Sequence, residues 1–364
     1  MRALLRPVEL DWSNNAIGFL RLALASLVLL GHAPGLGNFD GGGGIPPLLG
    51  EWALGSAAVI GFMFMSGVLI TRSWENSRGF TDFMTRRVLR IFPAYWVCLI
   101  AVATVFAGLW LVSQGQPLSA MPWTGPNGAA TYPLANFALF QEQAYIRGLF
   151  DGEGANFPLW TILSEFACYF LTAIAGVLGL GKKYRAAYLA AASLLILYFV
   201  YKVTASAGTF DIYHGQATGM LNRLVHLEAY LIGVCFYYYK EHIPLNWGLA
   251  VVAYLLTNVC SRVYQLEAFC PLFFSYFLYV LAFGLPIRNI ERKADLSYGI
   301  YIYGWPVQIM VFAFGGTAMG MGPYLLLTIL ALIPFAAFSW FLVEKPAMGA
   351  RKRVAARLMR KAEA

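Results

Sequence analysis

An all-α, polytopic membrane protein of about ten transmembrane helices, with both termini cytoplasmic, is predicted for this chain by three observations. The first is composition: 59% of the 364 residues are hydrophobic and only 12% charged, with a mean hydropathy of +0.62, whereas soluble domains carry roughly a quarter charged residues. The second is a series of ten apolar runs, at 16–34, 52–72, 89–112, 157–180, 185–202, 223–239, 246–263, 268–287, 296–315 and 323–343. Each is long enough to cross about 30 Å of hydrocarbon. The third is the distribution of Lys and Arg. With the N-terminus inside, twenty-one of the twenty-six fall on cytoplasmic segments and four outside, Arg21 being within a span, as the positive-inside bias requires.

The first run holds Arg21 and, eleven positions on, His32. That spacing is about three turns plus 20°, so both lie on one helix face, about 16 Å apart along the axis. Ionisable groups inside a span are costly and mark pathways or chemical sites. The plainer alternatives are an Arg salt-bridged to a neighbouring helix and a hydrogen-bonded packing His. The run ends in Gly31-His32-Ala33-Pro34 without a small-residue cleavage site, so it reads as a retained span rather than a signal peptide. Gly41 to Gly44 has no following Lys-Ser or Lys-Thr and is a turn, not a phosphate-binding loop.

The second run closes on Phe64-Met65-Ser66-Gly67, and the third opens with Arg86-Arg87-Val88-Leu89-Arg90 ahead of Pro93 and Tyr95. Three guanidiniums where a helix begins suit phosphate oxygens, through fork geometry and the positive helix end. A purely topogenic basic cluster is the competing reading. Residues 113–156, rich in Pro, Gly and Asn, form the longest hydrophilic stretch and carry Gln141, Glu142, Gln143, Asp151 and Glu153. Facing outward, these groups can bond sugar hydroxyls or simply solvate a connector.

The fourth run buries Glu165 between Trp160 and Tyr169. A carboxylate against an imidazole raises its basicity and fixes its tautomer, which makes Glu165 a candidate partner of His32, with Arg21 or water as the alternatives; the sequence leaves open whether the two meet. Runs five to eight are apolar crossings. The five cysteines show no paired spacing and the four histidines, His32, His214, His226 and His242, no clustered one, so neither a disulfide framework nor a metal is expected. The ninth run carries Tyr298, Tyr301 and Trp305 at helical spacing, an interfacial or packing stripe. The tenth ends in Ser339 to Val343 followed by Glu344-Lys345-Pro346, read as a helix stop of structural value only. A basic tail from Arg351 to Lys361 is expected to lie on the anionic inner leaflet. The expected organisation is one integral membrane domain, 1–346, a basic cytoplasmic tail, 347–364, and no fused soluble domain. No internal repeat supports the inverted-repeat plan of many transporters, and basic residues scattered between apolar runs exclude nucleic acid as a partner.

In this order the pieces resemble the acyltransferase family 3 membrane proteins, which include bacterial O-acetyltransferases of lipopolysaccharide, exopolysaccharide and Nod factors. The resemblance is carried by the Arg21-to-His32 spacing, Phe64-Met65-Ser66-Gly67, Arg87-x-x-Arg90 with Pro93 and Tyr95, Trp160 with Glu165 and Tyr169, Ser297-Tyr298-Gly299-Ile300-Tyr301, and Glu344-Lys345-Pro346. It implies a multi-pass protein of the bacterial inner membrane that transfers an acyl group, usually acetyl, from a coenzyme A thioester to a glycan or lipid-linked sugar. It also implies a catalytic His32 and required Arg21, Arg87 and Arg90. Many relatives carry a His shortly before the proline where this chain has Gly304-Trp305-Pro306.

The expected mechanism has His32 as general base and Glu165 and Arg21 at the catalytic centre. Arg86, Arg87, Arg90, Ser66 and Tyr95 receive acetyl-CoA, and Trp160, Tyr298, Tyr301 and Trp305 meet the acceptor. Arg21, Ser66 or Tyr95 is the expected oxyanion donor, and direct transfer and an acetyl-imidazole intermediate both remain open. The alternatives are a transporter or flippase for a lipid-linked glycan, with Arg21, His32 and Glu165 lining a polar path, and an inactive scaffold. The acceptor and the oligomeric state are not encoded in any motif.

Overall fold

The computed structural model describes residues 10–39, 48–49, 52–205, 220–287, 290 and 294–350. The Gly41–Gly44 turn, His214, the basic residues Arg288, Arg292 and Lys293, and the tail from Arg351 lie outside them. All regular elements among the described residues are helical. Each of the ten apolar runs falls on a helix: α1 (Ile17–Leu36), α2 (Leu54–Glu75), α3 (Phe80–Ala101), α6 (Trp160–Val177), α7 (Arg185–Ala205), α8 (Met220–Tyr238), α9 (Trp247–Cys260), α10 (Cys270–Gly284), α11 (Ser297–Ala313) and α12 (Met321–Phe338).

Among the described residues, seven helical segments are long and apolar enough to span a membrane: 17–36, 54–75, 80–113, 157–177, 182–205, 265–284 and 321–349. The other three of the expected ten are α8, α9 and α11. Helix α9 has only 14 residues, about 21 Å of rise, α8 carries Arg223, His226 and Glu228, and α11 is 17 residues long.

Helix α3 begins nine residues before the run that predicts it. Gly79, at φ +127°, turns the chain, and the Asp82 carboxylate accepts the Arg78 backbone N–H at 3.1 Å. The helix continues through a π turn (Val102–Phe106) into α4 (Ala107–Ser113). The expected stop at Glu344-Lys345-Pro346 is also corrected. Helix α12 passes through a π turn (Ser339–Glu344) into α13 (Lys345–Gly349), so Pro346 lies within a continuous helical run instead of ending it.

The described residues form two compact units, one drawn from the ranges 1–31, 46–84 and 164–295, the other from 32–45, 85–163 and 296–364. In the first, α2 crosses α8 at bare backbone: a Cβ on Gly67 would lie 2.1 Å from the Tyr230 carbonyl oxygen, and one on Gly233 2.2 Å from that of Phe64. Small residues at helix crossings permit such contact. In the second, α11 packs on α12, with Gly299 tight against Ala336.

The 113–156 stretch belongs to the second unit and is stitched together rather than loose. It contains α5 (Thr131–Ala135). Asn136 and Gln143 exchange hydrogen bonds at 2.8 and 3.1 Å, and the Gln143 amide also donates to Gly128 O at 3.0 Å.

Candidate active site

Within the first unit the charged residues expected at the centre are all engaged. Arg21 Nη1 donates to Asp295 Oδ2 at 2.7 Å, and Tyr169 and Glu165 lie within electrostatic reach of the guanidinium. Glu165 accepts hydrogen bonds from Ser66 Oγ at 2.9 Å and from the Tyr169 hydroxyl one helical turn on. Ser66, from the Phe64-to-Gly67 motif, is thus bound to the α6 carboxylate. The direct partner of Arg21 is Asp295, a residue that sequence reasoning passed over. Its only signal was to be a lone acid after Arg292 and Lys293, just ahead of an apolar helix.

The second unit holds His32. Its half-buried imidazole meets the Trp305 indole edge to face, with ring centroids 5.0 Å apart and planes at 83°. The polar tips of Tyr298, Tyr301 and Trp305 each meet a backbone carbonyl. Tyr298 donates to Ile91 O at 3.1 Å, Tyr301 to Pro158 O at 3.0 Å, and Trp305 Nε1 to Gly154 O at 2.7 Å. Buried aromatic hydroxyl and indole groups ordinarily find such partners. Tyr95, fully buried, gives its hydroxyl to Asn136 O at 2.9 Å. Trp160 opens α6 and is half-buried.

The same unit contains the basic triad. Since α3 starts at Phe80, Arg86 stands in its second turn, so the anticipated help from a positive helix end is lost, the dipole acting only over the first turn. The sequence missed this because Thr81, Asp82, Thr85, Arg86 and Arg87 make those first turns too polar to register as an apolar run. Arg90 Nη1 contacts Glu344 Oε2 at 2.5 Å, the carboxylate being fully buried, and Ser339 Oγ donates to the other oxygen at 2.8 Å. The guanidinium also lies 5.7 Å from the centroids of both Tyr298 and Trp340. Glu344, read from sequence as structural, is therefore the ionic partner of one of the triad. Among the described residues no group of three His, Cys, Asp or Glu side chains is placed to hold a metal ion.

Residues 14–344 match an acyltransferase domain family. The chain belongs to the acyltransferase 3 family. It is similar to an O-acetyl transferase of Shigella phage Sf6, with 28% identity over 346 residues that cover 91% of this chain and 95% of the relative. It is also similar to nodulation protein 10 of Rhizobium leguminosarum bv. viciae, with 26% identity over 369 residues covering 94% and 96%. No solved structure matches. The acyltransferase domain thus includes Arg21, His32, the α3 arginines, Glu165, the α11 aromatics and Glu344.

Proposed function

We propose that this acyltransferase moves an acetyl group from coenzyme A to a hydroxyl of a glycan or lipid-linked sugar at the bacterial inner membrane, with His32 as general base. The observation that carries the reading is the placement of His32 near the C-terminal end of α1, its ring packed on Trp305, inside a chain matched to the family nearly end to end. A sugar hydroxyl is a poor nucleophile until its proton has somewhere to go. The imidazole takes that proton as the oxygen bonds to the thioester carbonyl carbon. The C–S bond then breaks, and the departing thiolate recovers the proton from the imidazolium, leaving an ester and a free thiol.

Arg86 and Arg87 are assigned to the donor's phosphates. Arg90, bound to Glu344, steadies the α3 face that carries them. Arg21 takes a different part from the one its charge first invites. On one continuous helix it sits about 16 Å from His32 along the axis, and side chains of a helix lean the same way, so it cannot reach a carbonyl that His32 serves. The Ser66 and Tyr95 hydroxyls donate to Glu165 and Asn136, which argues against either as the oxyanion donor. Arg21, paired with Asp295, is assigned a supporting role within the first unit. The exposed carboxylates Glu142, Asp151 and Glu153, and Phe157, 46% exposed beside Trp305, are assigned to the acceptor.

The test supplies acetyl-labelled coenzyme A to the purified protein in lipid nanodiscs, with envelope glycans from a gene-deleted host as acceptor. His32→Ala is expected to lower thiol release and glycan labelling by about 10²–10⁴-fold with unchanged folded yield. Transfer at the native rate by that variant overturns the assignment of the base.

A further inference from the structure

Pro306 interrupts α11. A proline has no N–H, so the carbonyl four residues earlier, that of Ile302, loses its helical donor. In this protein that carbonyl accepts instead from Asn156 Nδ2 at 2.8 Å, with Cys98 Sγ at 3.2 Å; Asn156, Ile302 and Cys98 are all 0% exposed. Two residues before Asn156, Gly154 O accepts the Trp305 indole N–H at 2.7 Å. One residue after it, the Phe157 ring stands 5.8 Å from that of Trp305. The segment 154–157 therefore grips α11 at both Ile302 and Trp305, once through a side-chain amide on the backbone and once through a backbone carbonyl on the indole. The gripped indole is the surface against which His32 packs.

We infer that Asn156 and Trp305 are positioning residues that fix the orientation of the His32 ring, with the proline-freed carbonyl of Ile302 as the anchor. The inference rests on His32 being the base. It converts Trp305 from an acceptor contact into a support, since its only hydrogen-bond donor is spent on Gly154. The buried amide is worth retaining because removing it leaves the Ile302 acceptor with only a weak thiol donor.

The test uses the labelled-donor nanodisc assay on Asn156→Leu, Asn156→Asp and Trp305→Phe. Asn156→Leu and Trp305→Phe are each expected to lower kcat by about 10- to 100-fold, the scale of a misplacement near 1 Å, with the KM for acetyl-CoA unchanged. Their effects should not add, because both act through one support. Asn156→Asp tests the hydrogen bond itself. A protonated carboxyl can donate to Ile302 O and a carboxylate cannot, so the ratio of variant to native activity should rise as pH falls. If His32→Ala abolishes transfer while Trp305→Phe and Asn156→Leu retain native kcat, the positioning role is overturned and the base assignment stands. If His32→Ala is fully active, the underlying reading fails first. If the variants lose activity only in proportion to folded protein, and Asn156→Asp shows no pH-dependent recovery, the role is structural and the inference is overturned.

Discussion

Glu344 is a fully buried carboxylate that meets a nearly buried Arg90 at 2.5 Å and takes a second bond from Ser339. Removing one partner of such a pair strands the other charge in a low-dielectric interior, which costs about 3–5 kcal/mol, whereas replacing both with apolar groups of similar volume is often neutral. Glu344→Gln is thus expected to lower thermal stability in detergent strongly, and Arg90→Met with Glu344→Met to recover most of it. A double variant no more stable than Glu344→Gln would show that the pair does not act as a unit. This partnership, like that of Arg21 with Asp295, joins residues 254 and 274 positions apart. Such pairings have no local sequence signal, which is why the sequence singles out Arg21 and Arg90 but not the acids that pair with them. Asn156 is the intermediate case: Pro306 alone announces an orphaned carbonyl at Ile302, but not which donor reaches it.

Among the elements, the α2–α8 crossing is the least forgiving. The obstacle to a Cβ at Gly67 is the Tyr230 backbone carbonyl, at 2.1 Å, which cannot swing aside as a side chain does. Gly67→Ala must push the helices apart, at an expected cost of about 1–3 kcal/mol, the range for overpacked interiors. Thermal unfolding of the detergent-solubilised protein would measure it, and an unchanged midpoint would show that the crossing yields freely. Existence and order of the helices were legible because each apolar run has to satisfy its backbone within itself once in lipid. Helix ends were less so. The polar first turns of α3 hid its start at Phe80, and the Glu344-Lys345-Pro346 stop is passed by way of the π turn Ser339–Glu344, which carries the helix on through Pro346.

For the molecule as a whole, parity decides between counts of membrane crossings. Seven segments qualify by length and composition, an odd number, yet twenty-one of twenty-six basic residues favour a scheme with both termini inside. An even count then requires one or all three of α8, α9 and α11 to cross as well. Short connections argue for all three. Residues 239–246 join α8 to α9, and 314–320 join α11 to α12, lengths that suit antiparallel neighbours. Helix α9 packs on α10, and its rise of about 21 Å can be matched by local thinning of the bilayer at modest cost. The 34-residue segment 80–113 rises about 51 Å, well beyond the hydrocarbon, which leaves length for its basic first turns to stand in the interface, as the proposed donor site requires. Fusions of a fluorescent reporter active only inside, and of a phosphatase active only outside, would read the outcome at residues 242, 263 and 318 and after residue 364. Inside, outside, outside and inside are expected in that order. A phosphatase signal from the C-terminal fusion would make the count odd, place the Glu344 end of α12 on the outer side, and remove the cytoplasmic approach of coenzyme A to Arg86 and Arg87.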